Sequence, residues 1–330
     1  MIFVKLKYFL RTRHPAVFQR LVSMRYCGLG RECRALWRRR EARRVIRSSA
    51  PYFAIRLYAR CGLGALLSHT LDYLRYCELH NYLPVLEFHN PLYAAKEGDD
   101  WLPEFFTAQA SSVPDRAALR FLAVDTFRDY ARNELAGELS LPEAAAVFRR
   151  HLTIKREWHD EVDAFVAANF RGRVLGVHFR GTDKFLESGA LSPEAFMQEV
   201  DRQLAEDPGI ESVFVGTDEP AFLESFTKRF GHLQLSNYHL GPPLSSERPR
   251  HLSNFPGPLL AREALVTLLL FARCDVCVRT CSHLSGWSRV FNPDLKTVTL
   301  TLGKPETLGF PDRQIVAAEK RAVQRALQGA

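Results

Sequence analysis

Between Val174 and Ser288 three short apolar runs each break into glycine, charged or hydroxyl residues ahead of a helical pattern. The runs are VLGVHF from Val174, VFVGT from Val213 and DVCVRT from Asp275. Runs of this length bounded by polar punctuation read as buried strands. Between them, Ser192-Pro193 supplies a cap and first turn, and Phe196, Val200 and Leu204 follow at i, i+4 and i+8. Phe222, Phe226 and Phe230 repeat that spacing after Pro220. These stripes are core-facing helix positions. Strand and helix in alternation imply a parallel, doubly wound sheet over residues 171–310.

Open sheets of this kind bind ligands at the carboxyl ends of their strands, so the chemistry is sought there. The first strand runs into His178, Arg180, Gly181, Asp183 and Lys184. A guanidinium at such an edge grips an anionic oxygen with two parallel hydrogen bonds, and Lys184 adds a compact second charge, so phosphate is the matching guest. The competing reading is an ion pair of Arg180 or Lys184 with Asp183. The second strand ends in Gly216, Thr217, Asp218 and Glu219, and the third passes Thr280 and Ser282 to His283 at a helix start. Free N–H groups and hydroxyls at a helix N-terminus form an anion pocket, although serine and threonine there also serve as simple caps. The three ends are expected to share one crevice.

The segment HFRGTDK, His178 to Lys184, resembles the HVRRTDK motif of the fucosyltransferase superfamily that joins α1,6-fucosyltransferases, the rhizobial nodulation fucosyltransferase and protein O-fucosyltransferases. Val213–Pro220 is similar to that group's second strand and loop, Thr280–Ser285 to its serine-rich third motif, and Cys61–Phe88 to its opening glycine-rich turn, helix and strand. The likeness covers most of residues 52–302. It implies a GT-B-like α/β fold, two Rossmann-like domains facing across a cleft, and inverting, metal-independent transfer of fucose from GDP-fucose to a glycan or glycolipid. Arg180 would hold the diphosphate, assisted by Lys184, with Ser282 and His283 at the pyrophosphate and His178 and Asp218 at nucleoside or sugar. Glu187 is the candidate base and Asp183 the second candidate. In this chain Gly181 stands where the motif has a second arginine, and Thr267 where the α1,6 enzymes carry an acid for guanine.

Upstream, Tyr52–Arg60 is a plausible strand leading to Gly62 and Gly64, followed by a helix from about Leu66 to Leu79 and a strand at Leu83–Phe88. Asn90–Pro114 reads as an irregular excursion, Arg116–Phe170 as helical, and about Asp312–Leu327 as a C-terminal helix packing back on the first domain. The divisions expected are a basic extension 1–50, an acceptor-side domain with linking helices 51–170, a nucleotide-sugar domain 171–310 and a terminal helix 311–330.

The formal net charge of +8 is concentrated at one end: residues 1–60 hold 16 Lys and Arg against 2 Glu, net +14, leaving −6 for the rest. Within RALWRRREARRVIR, Leu36, Trp37, Val45 and Ile46 interrupt the charges. This is a cationic helix suited to anionic lipid, or a solvated arm; without a nucleic-acid motif beside it, nucleic acid is the weaker active reading. The best apolar run, Leu259–Phe271, is broken by Arg262 and Glu263 and falls short of a bilayer span. Seven cysteines without a clean signal peptide suggest reduced thiols and a cytoplasmic protein, at the inner membrane face if the arm engages lipid. Cys274, Cys277 and Cys281 with His283 are set on different faces of strand and turn, so no metal is expected. Two other readings stay open: the same fold using another nucleotide sugar, and a non-catalytic glycan or nucleotide sensor.

Overall fold

The computed structural model describes residues 28–49, 51–109, 119–125, 127, 135–180, 191–241 and 255–328. The N-terminal part comprises α1 (Gly28–Ser49), β1 (Tyr52–Leu57), α2 (Leu63–Leu79), β2 (Leu83–Phe88), the short α3 (Leu102–Phe105), β3 (Phe106–Ala108), β4 (Leu122–Ala123), α4 (Leu141–His151), β5 (Leu152–Ile154) and α5 (Arg156–Asn169). Strands β2-β1-β4 form a parallel sheet, and β3 pairs with β5 antiparallel. Three brief strands thus occupy segments expected to be irregular or helical. They are two or three residues long, too short to carry an alternation in sequence.

The second part comprises β6 (Arg173–Phe179), α6 (Pro193–Glu206), β7 (Ile210–Thr217), α7 (Pro220–Phe230), β8 (Gln234–Ser236), α8 (Gly257–Phe271), β9 (Val276–Thr280), α9 (His283–Phe291), β10 (Lys296–Leu300) and α10 (Asp312–Gln328). Its five strands run parallel in the order β10-β9-β6-β7-β8. That is the doubly wound order, and its direction reverses between β6 and β9. Alternate residues of β6 face opposite layers: Leu175, Val177 and Phe179 pack with Phe196, Val200, Phe222 and Phe226 of α6 and α7, while Val174 joins the core shared with α8 and the N-terminal part. Gly216 admits Phe271 of α8, since a Cβ there would lie 2.7 Å from the ring.

The two parts share one apolar core. Trp287 of α9 is fully buried with its ring against Phe148 of α4, and its indole N–H donates to Ser68 Oγ of α2 at 2.9 Å. Ser68 Oγ lies 3.1 Å from the carbonyls of Gly64 and Phe310, so one hydroxyl ties α2 to the segment before α10. The terminal helix packs mainly on β10 and α9 and reaches the N-terminal part through Gln314, whose side-chain amide donates to the Gly137 carbonyl at 2.7 Å. The basic extension is not a detached arm over its described length. Ala42, Val45 and Ile46 of α1 are buried in the shared core.

At Gly64 the two parts meet backbone to backbone. A Cβ there would lie 2.5 Å from the His283 carbonyl carbon and 2.7 Å from the Leu284 nitrogen. Gly64→Ala must therefore part the N-termini of α2 and α9. A stability loss of about 1–3 kcal/mol is expected in urea unfolding, together with weakened nucleotide binding; an unchanged midpoint and affinity would show that the approach is looser.

Candidate active site

The point where strand order reverses in a doubly wound sheet leaves a crevice outside the strand carboxyl ends. Here that point lies between β6 and β9, where the Arg180 N–H donates to Thr280 Oγ1 at 3.1 Å. A cavity of about 470 Å³ opens there, walled by His178 and Arg180 after β6, Gly216–Asp218 after β7, His283 and Leu284 of α9, and the Arg60–Ala65 turn of the N-terminal part. All three strand ends singled out in the sequence meet at it. Thr280 and Ser282 stand behind the wall. Thr280 fixes the Arg180 backbone, and the Ser282 hydroxyl is buried without a hydrogen-bond partner among the described residues. Gly181, Asp183, Lys184 and Glu187 lie outside the described residues.

Two helices aim their positive ends at this space. Gly62, which has no side chain, is the N-cap of α2, and Ser282, whose hydroxyl does not bond to its helix, is that of α9. First-turn N–H groups have no intrahelical acceptor, and with the helix dipole they favour an anion. The Leu63 N–H donates instead to Tyr93 Oη at 2.7 Å. Tyr93 is buried on the cavity wall, and accepting from a helix terminus strengthens its own O–H as a donor. Arg180 adds the fixed charge, its side chain about one-fifth exposed and its Nε 3.7 Å from Asp218 Oδ2. The competing pair of Arg180 or Lys184 with Asp183 lies partly outside the described residues; among those described, Arg180 pairs with Asp218.

His178 is held from behind. Arg279, fully buried, donates through Nε to Ser285 Oγ at 2.9 Å, and Ser285 Oγ lies 2.9 Å from His178 Nδ1. Every group is satisfied when Ser285 donates to Nδ1, which leaves the ring proton on Nε2. Burial, and then the nearby Arg279 and Arg180 charges, lower the His178 pKa from 6.5 to about 3. The folded protein therefore keeps a neutral ring, while the unfolded chain takes up a proton below about pH 6.5. Stability from this group is present at neutral pH and declines as pH falls toward 3, by about 2–3 kcal/mol between pH 7 and 4.5. Urea midpoints should fall accordingly in the wild type and much less in His178→Gln; parallel profiles would contradict the assignment.

The cavity wall also carries a carboxylate that the sequence did not single out. Glu263 of α8 is buried and accepts the Leu240 N–H at 2.8 Å. His239 Nδ1 is 3.7 Å from Glu263 Oε1, and both nitrogens of that ring are buried without hydrogen bonds among the described residues. Thr267 lines the same wall one turn further on. An acid does stand on this helix, four residues earlier than the position inspected. Tyr93 was equally hidden, being one aromatic among many in the segment after β2. Cys274 and Cys277 are buried, and burial raises both thiols, Cys277 to about 12. No group of metal-ligating residues occurs among the described residues.

No family model matches the chain, and no curated protein matches it. Among solved structures, it is similar to the NodZ α1,6-fucosyltransferase soaked with GDP-fucose, at 19% identity over 73% of this chain and 93% of that one, TM-score 0.49. Fucosyltransferase NodZ from Bradyrhizobium aligns at 18% identity over 72% and 93%, TM-score 0.48. POFUT1 in complex with GDP aligns at 9% identity over 76% and 99%, TM-score 0.47.

Proposed function

We propose that the protein is an inverting glycosyltransferase that takes its sugar from a nucleoside diphosphate, with GDP-fucose as donor and a glycan or glycolipid hydroxyl as acceptor. The observation that carries this reading is the convergence of Arg180 and the N-termini of α2 and α9 on one cavity at the sheet's switch point. The HFRGTDK motif and its two companions support it.

In the reaction the acceptor oxygen bonds to the sugar's anomeric carbon as the bond from that carbon to the diphosphate oxygen breaks. The departing diphosphate gains charge, and Arg180 with the first-turn N–H groups of α2 and α9 meets it with fixed donors. No metal is required for that neutralisation. The acceptor proton passes to a carboxylate, with Glu187 first and Asp183 second in this role. Asp218, committed to Arg180, orients rather than accepts. His178, neutral and with its Nδ1 bonded to Ser285 Oγ, keeps its proton on Nε2 and is a donor for nucleoside or sugar oxygens. Glu263 supplies an acceptor for adjacent N–H groups, which guanine presents and uracil, with its single ring N–H, matches poorly.

Turnover with a panel of GDP- and UDP-linked sugars tests this reading. GDP release is expected with GDP-fucose above the other donors. Glu263→Gln should narrow the gap between GDP- and UDP-donors by roughly tenfold or more while the amide oxygen still receives the Leu240 N–H. Release with UDP-sugars alone would replace the donor, and binding without turnover for every acceptor would favour the sensor reading.

A further inference from the structure

Helix α1 divides its residues between two opposed surfaces. Ala42, Val45 and Ile46 face the core. Turned by about 100° per residue, Leu36, Trp37, Arg40, Arg43, Arg44 and Arg47 fall together on the other side, and every one of them is exposed. Trp37 is 63% exposed and Leu36 58%. Among the described residues none of Arg40, Arg43, Arg44 and Arg47 takes part in an ion pair, and Glu41 lies at the edge of the arc. Large apolar side chains and cations therefore share one face. Water solvates the guanidinium groups but not the indole and the leucine, and among the described residues nothing covers these two side chains.

We propose that this face of α1 docks the protein on an anionic phospholipid bilayer. Charge complementarity selects an anionic surface, and the apolar pair selects lipid. An indole and a neighbouring leucine enter the headgroup boundary while arginines around them meet lipid phosphates. Nucleic acid would use the arginines and could stack on Trp37, but it leaves Leu36 exposed to water. Val45 and Ile46, part of the same cationic stretch in sequence, take no part, because they hold the helix to the fold. The inference is independent of the reaction assigned to the cavity.

Vesicle cosedimentation of the full chain at low salt tests it, using phosphatidylcholine vesicles with and without 30% phosphatidylglycerol. Wild type is expected to bind the anionic vesicles at least about tenfold tighter than neutral ones. The quadruple variant Arg40→Ala, Arg43→Ala, Arg44→Ala, Arg47→Ala should lose about a hundredfold or more, at roughly fivefold per charge. Trp37→Ala alone should lose about tenfold and reduce the salt-resistant fraction. Residues 1–27 stay unaltered throughout, and unchanged circular dichroism confirms folding of each variant. Failure of the wild type to bind anionic vesicles, or equal binding by the quadruple variant, overturns the proposal. Tighter binding to a single- or double-stranded oligonucleotide than to the vesicles overturns it as well.

Discussion

Arg180→Ala is expected to lower turnover by at least about a hundred- to a thousandfold while leaving the protein folded. The magnitude is that of removing one preorganised donor from a developing anion in a water-poor site. The side chain sits on the cavity wall at the β6–β9 switch point, and its fixed charge belongs to the step in which the diphosphate departs. That side chain is about one-fifth exposed, and its Nε lies 3.7 Å from Asp218 Oδ2. Asp218, itself largely buried, loses this cation, so a stability loss of about 1–3 kcal/mol is expected in urea unfolding. Arg180→Lys keeps the charge but loses the planar fork and should recover only part of the rate. Full activity in the alanine variant would remove Arg180 from the reaction.

Asp312→Ala is expected to destabilise the fold by about 3–5 kcal/mol, as breaking a buried pair by deleting one partner does. Asp312 Oδ1 accepts from Arg279 Nη2 at 2.5 Å, and the guanidinium is fully buried. Its other donors meet the Ser282 carbonyl at 2.7 Å and Thr299 Oγ1 at 3.3 Å. The damage should also travel: Arg279 holds Ser285, and Ser285 holds His178. Nucleotide affinity is therefore expected to fall under conditions where the variant remains folded. Chemical denaturation and binding titration together check both parts, and a loss below about 1 kcal/mol would mean that the carboxylate is dispensable.

The larger elements were legible because their signals are local. Ser192 with Pro193 foretold the start of α6, whose cap accepts the Ala195 N–H at 3.1 Å. The phenylalanine stripe of α7 is buried at Phe222, Phe226 and Phe230. Leu83–Phe88 coincides with β2. Strand ends also pointed to the crevice, since His178, Arg180, Asp218 and His283 all reach its wall. What escaped depends on partners distant in sequence. An arginine inside DVCVRT gives no sign that an aspartate 33 residues on will neutralise it. Glu263 looks like an interruption in an apolar run until the helix is laid against the cavity. Tyr93 gains its meaning from a helix terminus 30 residues earlier. Val45 and Ile46 seemed to belong with Trp37, and the helix turn separates them.

The most direct measurement is a crystal structure of the full chain with GDP. The diphosphate is expected between Arg180 and the first turns of α2 and α9, with the base toward Glu263. A nucleotide bound elsewhere, or one whose phosphates leave Arg180 untouched, would contradict it.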